Sequence, residues 1–362
     1  MVRRADDRRS GCVTPLPPWD AERDDTLLCV ATRQETHDVR SFVFRPEPPL
    51  LLHFLPGQFM TFALDAIGEQ RCYTIASPPT RPYRLEITTK RSGPASSWLH
   101  DHLRPGMRLR VTGPAGDFSF GAEPAGNYLF LAAGSGITPL MSMARAAHDI
   151  GSEADILLVQ SARSEADLLF SGELRAMTTR PGFRAVSIVE HDAPGARWDG
   201  YRGRLSAPLL ATLAPDLLQR EVFCCGPAPY MAAVRALLDE AGFDRGRYRE
   251  ESFAFATGDA EPAHADNVVL LRPATTAFSV TFSRSGRTVA CPPGVSVLAA
   301  ARDAGLRLPS ACQKGVCGTC KSRMTTGSVE MRHGGGIRQR EIEAGMVLLC
   351  CSVPTSDLVI ER

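Results

Sequence analysis

The chain has 362 residues, 44% of them apolar and 22% charged, with a formal net charge of +1. That length suits two or three domains with cores of their own, and the near-neutral balance gives no global argument for nucleic acid or a membrane surface. No apolar run approaches the ~18 residues of a spanning helix.

Residues 1–23 are charged and Pro-rich, lack the apolar stretch of a secretory signal, and read as a disordered tail. Residues 24–122 are short alternating segments broken by Pro and Gly: DVRSFVFRP, GQFMTFAL, RCYTIAS, RLEITTKR and MRLRVTGP. Such spacing predicts an antiparallel β-barrel. One helix is expected inside it, SSWLHDHLRPG, opened by Ser96 or Ser97 and closed by Gly106. Residues 123–254 change character. The compact apolar runs NYLFLAAGSG, ADILLVQSAR, FRAVSIVE and EVFCCGP alternate with helix-like stretches, which predicts an α/β domain on a parallel sheet. Residues 255–275 are small, acidic and polar, and read as a linker. Residues 276–362 hold a hairpin pattern, a helical pattern (VSVLAAARDAGL) and a cysteine loop.

Five of the eleven cysteines lie between Cys312 and Cys351. In a chain without a secretory signal, such clustering argues for metal rather than disulfides, and for a reducing, cytoplasmic compartment. The spacing is Cys312-x4-Cys317-x2-Cys320, then 29 residues, then Cys350. Four thiolates supply the soft anionic ligands that iron requires, and Gly315 and Gly318 free the loop's amides to face sulfur. Zinc is the alternative, although zinc sites usually pair two short cysteine hooks and this loop has one. The motif resembles that of plant-type [2Fe–2S] ferredoxins. The resemblance implies a β-grasp domain with the fourth ligand four residues before Pro354, which selects Cys350 over Cys351.

Arg71-Cys72-Tyr73-Thr74-Ile75-Ala76-Ser77 resembles the R-x-Y-[ST]-x-x-S signature of the ferredoxin–NADP reductase superfamily. Arg71 can fork onto phosphate, Tyr73 can stack on an isoalloxazine ring, and the Thr74 hydroxyl can reach flavin N5. Alone, such a strand is more often an ordinary surface strand. Pro56-Gly57-Gln58-Phe59 upstream, and Ile87, Thr88 and Lys90 downstream, strengthen the resemblance. Gly93, Ala95, Ser96 and Ser97 then open a helix, a ready anion site that also reads as a simple N-cap. The helix-start segment resembles FAD-binding members, so FAD is expected and FMN is the alternative.

Gly134-Ser135-Gly136-Ile137-Thr138-Pro139 follows the first α/β strand and resembles the superfamily's G-x-G-x-T-P turn for a nicotinamide nucleotide. A tight strand–helix turn explains it equally well in isolation. Cys225, Gly226 and Pro227, with Met231 after them, match the place where the superfamily sets a cysteine against the nicotinamide ring. The resemblance makes Thr74 and Cys225 the residues at the reacting atoms, with Cys225 orienting rather than attacking. Cys224 should face the other side and pack. Arg163 follows the second strand and can contact the adenosine end, or else is a solvated loop charge. Its single charge beside Glu165 and Asp167 favours NADH over NADPH. In the superfamily the end of this domain lies over the flavin, so the resemblance implies that Phe253 flanks the ring, with ordinary core packing as the alternative.

A hydride carries two electrons and a [2Fe–2S] cluster accepts one, so a flavin must stand between them. The order flavin, nucleotide, ferredoxin resembles reductase components of Rieske-type oxygenases in the phthalate dioxygenase reductase arrangement. Within these it is similar to the reductases of glycine betaine, stachydrine or carnitine monooxygenases, and outside them to hybrid-cluster protein reductase. The implied function is an NAD(P)H-dependent reductase feeding a terminal oxygenase that demethylates or hydroxylates a small substrate such as a methylated amine. Another metalloprotein acceptor, or a redox sensor without turnover, are the alternatives. Residues 276–362 carry eleven basic and six acidic side chains, a formal +5. Lys314, Lys321 and Arg323 are expected to form a basic docking rim for the acceptor.

Overall fold

A computed structural model describes residues 16–19, 25–253, 277–306, 308, 315, 318, 320–333 and 336–362. The linker reading at 255–275, Lys314 and the ligand candidates Cys312 and Cys317 lie outside the described residues.

The first domain is an antiparallel barrel of β1 (Asp25–Thr36), β2 (Val39–Pro46), β3 (Phe59–Leu64), β4 (Glu69–Thr74), β5 (Leu85–Lys90) and β6 (Arg108–Ala115). The sheet order is β4-β3-β6-β1-β2-β5, and a bridge between Ile75 and Ile87 joins its two edges. Period-two alternation sends Phe42, Phe44, Met60, Phe62, Leu85 and Ile87 into one core. Register shifts at Cys29/Ala31 and Gln34/Thr36 bend β1, which closure requires.

Helix α1 (Pro94–His102) caps this barrel through Ala95, Leu99 and Leu103. It begins before the expected Ser96, because Pro94 suits a first turn that needs no N–H partner. The Ser96 hydroxyl instead turns back, accepting from the Ser92 N–H at 2.9 Å and donating to the Gly93 carbonyl at 3.2 Å. Gly106 does not close the helix. It sits at φ +94° in the next turn, and its N–H donates to the Cys29 carbonyl. The tail reading also stops short of residues 16–19. Trp19 is buried in the barrel core, its indole N–H donates to the Gly113 carbonyl at 2.7 Å, and its backbone pairs with Leu51.

The second domain follows as β7 (Asn127–Ala133), α2 (Ile137–Asp149), β8 (Asp155–Ala162), α3 (Ser171–Met177), β9 (Phe183–Val189), β10 (Tyr201–Arg202), α4 (Ala207–Leu213), β11 (Glu221–Cys225), α5 (Ala228–Glu240) and β12 (Tyr248–Glu251). The sheet is parallel throughout, in the order β10-β9-β8-β7-β11-β12. Its strands read as unbroken apolar runs because helices cover both faces. The order reverses between β7 and β11, so the crevice at their carboxyl ends is the place where such sheets take ligands. Helix α2 is buried from Ile137 through Ala147, with Phe118 and Val39 of the barrel side joining its core.

The third domain is built from β13 (Phe278–Phe282), β14 (Arg287–Cys291), α6 (Val297–Asp303), β15 (Lys321–Thr326), β16 (Val329–Met331), α7 (Gln339–Glu343), β17 (Met346–Leu348), β18 (Ser352–Pro354) and β19 (Leu358–Glu361). Its main sheet runs β14-β13-β19-β15-β17, with β13 and β19 parallel and the other neighbours antiparallel. Val297, Leu298 and Ala301 of α6 pack into its core, giving the expected β-grasp arrangement.

Candidate functional site

The flavin-motif residues sit at the end of β4. Arg71 and Tyr73 share one face of the strand with Phe62 and Met60 opposite them, while Cys72 turns the other way, 3.4 Å from the Thr61 hydroxyl. Tyr73 stands edge-on to Phe62 at 5.8 Å between centroids, and burial pushes its phenol up, so it stays neutral. Arg71 donates to the Gln70 carbonyl and pairs with Glu69, each at 2.9 Å. Thr74 is buried at the strand's last position.

On β5, Ile87 points into the barrel core and leaves only its backbone for a ligand. Thr88 shares a 2.7 Å hydrogen bond with Ser41, and Lys90 pairs with Asp38 at 3.0 Å. Gly93 is extended, with open space where a side chain would be, and the first N–H groups of α1 behind it have no intrahelical carbonyls. Ala95 and Ser96 are buried and Ser97 is half-buried. Open space and free donors fit an anionic phosphate.

Strand β5 lies against the Gly134–Gly136 turn, which brings the flavin strands and the nucleotide turn together. Gly134 takes φ +54°. Thr138 closes the turn by donating from Oγ1 to the Ser135 carbonyl at 3.0 Å, and Pro139 is buried beside it. A Cβ on Gly136 would lie 2.3 Å from the Cys225 carbonyl oxygen, so the β7 and β11 turns are in direct backbone contact. Gly226 is also tight, though against side chains, with Tyr230 and Ala133 carbons at 2.9 and 3.0 Å from a would-be Cβ. The two glycines let the turns after β7 and β11 pack this closely at the switch point.

Cys225 and Cys224 divide between the two faces of the sheet. Cys225 joins the core under α2, and Cys224 joins the opposite one with Leu129 and Leu131. Burial pushes both thiols up, Cys224 to about 12, so neither is an activated thiolate. Pro227 is exposed and leads into α5, while Met231 packs in the opposite core with Cys224, so its side chain is on the far face from Cys225. Phe253 packs against the core that holds Cys225. Arg163 is exposed and pairs with Asp167 at 2.9 Å.

Glu251 was given no role by the sequence. In the parallel register it sits beside Cys225, on the same face. Burial pushes its carboxyl up to about 8, and its Oε2 has no hydrogen-bond partner. A buried acid with an orphan oxygen next to Cys225 is a mark of a ligand site. The signal was the register of β11 against β12, which no local pattern reveals.

In the third domain, the Cys350 N–H donates to Cys320 Sγ at 3.4 Å. Gly315 and Gly318 hold φ +70° and +73°. A Cβ on Gly315 would meet Cys351 Sγ at 2.7 Å, and one on Gly318 the Gly336 carbonyl at 2.8 Å. Cys351 Sγ itself lies 3.7 Å from the Leu348 carbonyl. Soft thiol donors, with an amide aimed at one of them, fit an iron–sulfur cluster.

Comparison with known proteins agrees domain by domain. Residues 27–120 match an oxidoreductase FAD-binding domain, 130–236 an oxidoreductase NAD-binding domain, and 280–355 a 2Fe-2S iron-sulfur cluster binding domain. The glycine betaine monooxygenase reductase subunit of Pseudomonas aeruginosa is 45% identical over 349 residues, covering 92% of this chain and 94% of that protein. The stachydrine N-demethylase reductase subunit of Rhizobium meliloti is 41% identical, covering 93% and 96%. The solved structure of phthalate dioxygenase reductase matches with a TM-score of 0.58 and 25% identity, covering 94% of this chain and 98% of that one. Among the described residues no helix is long and apolar enough to cross a membrane. With two glycine turns locked at the switch point, a flavin strand beside them and a thiol-rich β-grasp domain following, this chain belongs to the family of oxygenase reductase subunits that join FAD-binding, NAD-binding and 2Fe-2S domains in one polypeptide.

Proposed function

We propose that the chain carries electrons from NADH to a Rieske-type oxygenase that oxidises a methylated ammonium compound. The observation that supports this most is the near full-length likeness to reductase subunits named for glycine betaine and stachydrine, at over 40% identity. When bound, FAD supplies the conversion of an electron pair into single electrons that a [2Fe–2S] cluster can take.

The chain's own residues bind and orient. Arg71 and the start of α1, from Gly93 to Ser97, hold the flavin phosphates. Tyr73 and Phe253 flank the ring system, and Thr74 offers a hydroxyl at its reactive edge. The turn Gly134–Gly136, closed by Thr138 and Pro139, takes the nucleotide pyrophosphate. Cys225 and Gly226 shape the nicotinamide pocket as a neutral, apolar wall, and Arg163 meets the adenosine end. Cys312, Cys317, Cys320 and Cys350 hold the cluster. Among the described residues no cysteine is in a disulfide, which suits a reducing, cytoplasmic compartment.

Docking of the acceptor rests on the basic rim. Arg323 is exposed, whereas Lys321 is paired with Glu341 at 2.6 Å. Arg323 therefore carries more of the steering charge than Lys321. The test is reconstitution with a candidate oxygenase, following NADH-dependent oxidation of glycine betaine and related methylated amines. Failure to support turnover of any of them, with FAD and cluster both loaded, rejects the substrate assignment. Charge reversal at Lys321 and Arg323 should weaken the salt dependence of acceptor reduction, and an unchanged salt profile rejects the rim.

A further inference from the structure

Helix α2 starts at the nucleotide turn and ends against the barrel. One flank of it carries Ser142, Arg145 and Asp149, spaced three and four residues apart, so they form a single stripe. That stripe meets the segment linking β4 to β5. Ser142 Oγ donates to the Ser77 carbonyl at 2.8 Å in a buried setting. Arg145 Nη1 donates to the Ala76 carbonyl at 2.7 Å and to Glu86 at 3.0 Å, while its Nε and Nη2 grip Glu173 at 2.8 and 2.6 Å. Asp149 accepts from Thr80 at 2.5 Å and from both arms of Arg81 at 3.0 and 2.8 Å.

Arg145 is 4% exposed, and its guanidinium lies 4.9 Å from the centroid of the Phe170 ring. Phe170 is the single non-glycine residue at positive φ among the described residues. Burying a charge this deeply returns little net stability once desolvation is counted. What such a network does well is select one arrangement of the parts it joins. Here the parts are the carbonyls of Ala76 and Ser77, two and three residues after Thr74, and a helix that begins directly after the nucleotide turn. Ala76 is also held on its N–H side, by the Glu86 carbonyl at 2.7 Å. From Gly136 to Arg145 the helix is a rod roughly 13 Å long.

We propose that Arg145 and Ser142 are positioning residues that clamp the end of the flavin strand to the nucleotide helix and so set the distance at which nicotinamide meets flavin. This rests on the flavin-site reading given above. The outer pair of Arg81 and Asp149 is solvent-facing and adds less.

The experiment uses the full-length, flavin-loaded protein. Arg145→Met and Ser142→Ala are reduced anaerobically in a stopped-flow instrument with saturating NADH, and with NADH deuterated at the transferred position. The expected result is normal FAD content and an NADH Kd within about twofold of the parent. The limiting rate of flavin reduction should fall by roughly tenfold or more in Arg145→Met and several-fold in Ser142→Ala, since misplacement of about 1 Å can cost up to ~100-fold. The deuterium effect should grow. Asp149→Asn should stay within about twofold. A parental reduction rate in both flavin-loaded variants, even with a lowered melting temperature, overturns the proposal and leaves Arg145 a structural residue. Where Arg145→Met does not fold, Ser142→Ala and Glu173→Gln are read by the same criterion. Arg71→Ala tests the underlying site separately: full FAD retention there rejects the site reading, whereas unchanged rates with normal FAD reject the clamp alone.

Discussion

Gly136 offers a sharp test of how the two domains' chemistry is held together. Its backbone is helical, at φ −63° and ψ −7°, a conformation any residue adopts. The constraint is space alone. An added Cβ would meet the Cys225 carbonyl oxygen at 2.3 Å, its carbon at 2.5 Å and the Gly226 nitrogen at 2.7 Å. All three are backbone atoms at the end of β11, which is paired with β7 on one side and β12 on the other. They cannot swing aside as a side chain can. Restoring ordinary carbon contact of roughly 3.5 Å requires the turns to part by about 1 Å. Overpacking of that kind costs about 1–3 kcal/mol of stability. The same shift carries the nicotinamide wall away from the flavin, and about 1 Å there is worth up to ~100-fold in hydride transfer, or ~2.7 kcal/mol. Gly134 provides the contrast. It sits at φ +54° with nothing within 4 Å of a would-be Cβ. Gly134→Ala meets no protein atom, so its cost in stability should be only the left-handed penalty of about 1–2 kcal/mol, with its effect on the reaction seen as weaker NADH binding at the turn rather than as a lower limiting rate. The assay is anaerobic reduction of the flavin-loaded variants by NADH, alongside thermal melts. A Gly136→Ala protein that reduces at the parental rate and melts at the parental temperature refutes the backbone-contact argument.

Three further outcomes are expected. Glu251 stays protonated in the folded chain up to about pH 8, while an unfolded chain ionises it near its ordinary value of 4.5. Folding stability from this group therefore falls as pH rises between those values and is flat above. At about 1.4 kcal/mol per pH unit the loss approaches roughly 5 kcal/mol. Glu251→Gln should flatten that slope in urea titrations between pH 5 and 8.5, and parallel curves for parent and variant would show the carboxyl is not held neutral. Trp19→Ala should destabilise the barrel by about 3–5 kcal/mol, since it empties a core position and removes the bond to the Gly113 carbonyl. An unshifted melt would return residues 16–19 to the tail. Cys350→Ser should abolish the cluster's visible absorption and reduced-state EPR signal after anaerobic reconstitution, while Cys351→Ser keeps both. The reverse pattern reassigns the fourth ligand.

Much of this molecule is readable from local pattern. The strand alternation of VRSFVFRP and FMTFAL already marks an inward and an outward face, and Phe42, Phe44, Met60 and Phe62 do fill one core. The apolar run LFLAA followed by Gly134-Ser135-Gly136 marks a buried strand entering a helix, as found. Readings that depend on one residue's partners fared less well. Ser96 has the chemistry of a helix opener, but Pro94 takes the first turn, and the Ser96 hydroxyl bonds Ser92 and Gly93 instead. Trp19 sits in a charged, Pro-rich stretch whose composition hides that a single indole reaches the barrel interior. Met231 follows Cys225 in sequence yet packs on the other face of the sheet, because α5 covers that face.

Sequence by itself determined the chemistry this protein can do: which cofactors, in which order, with the thiol spacing and glycine turns each one needs. Those are properties of short stretches, where ligand reach and backbone freedom act over a few residues. Only the tertiary structure decided which distant groups meet: Glu251 beside Cys225, the Gly136 turn against the β11 backbone, and Arg145 reaching from helix α2 to the segment that follows β4. Register and domain packing set those meetings, and they follow from the sum of many weak contacts across the chain rather than from any segment within it.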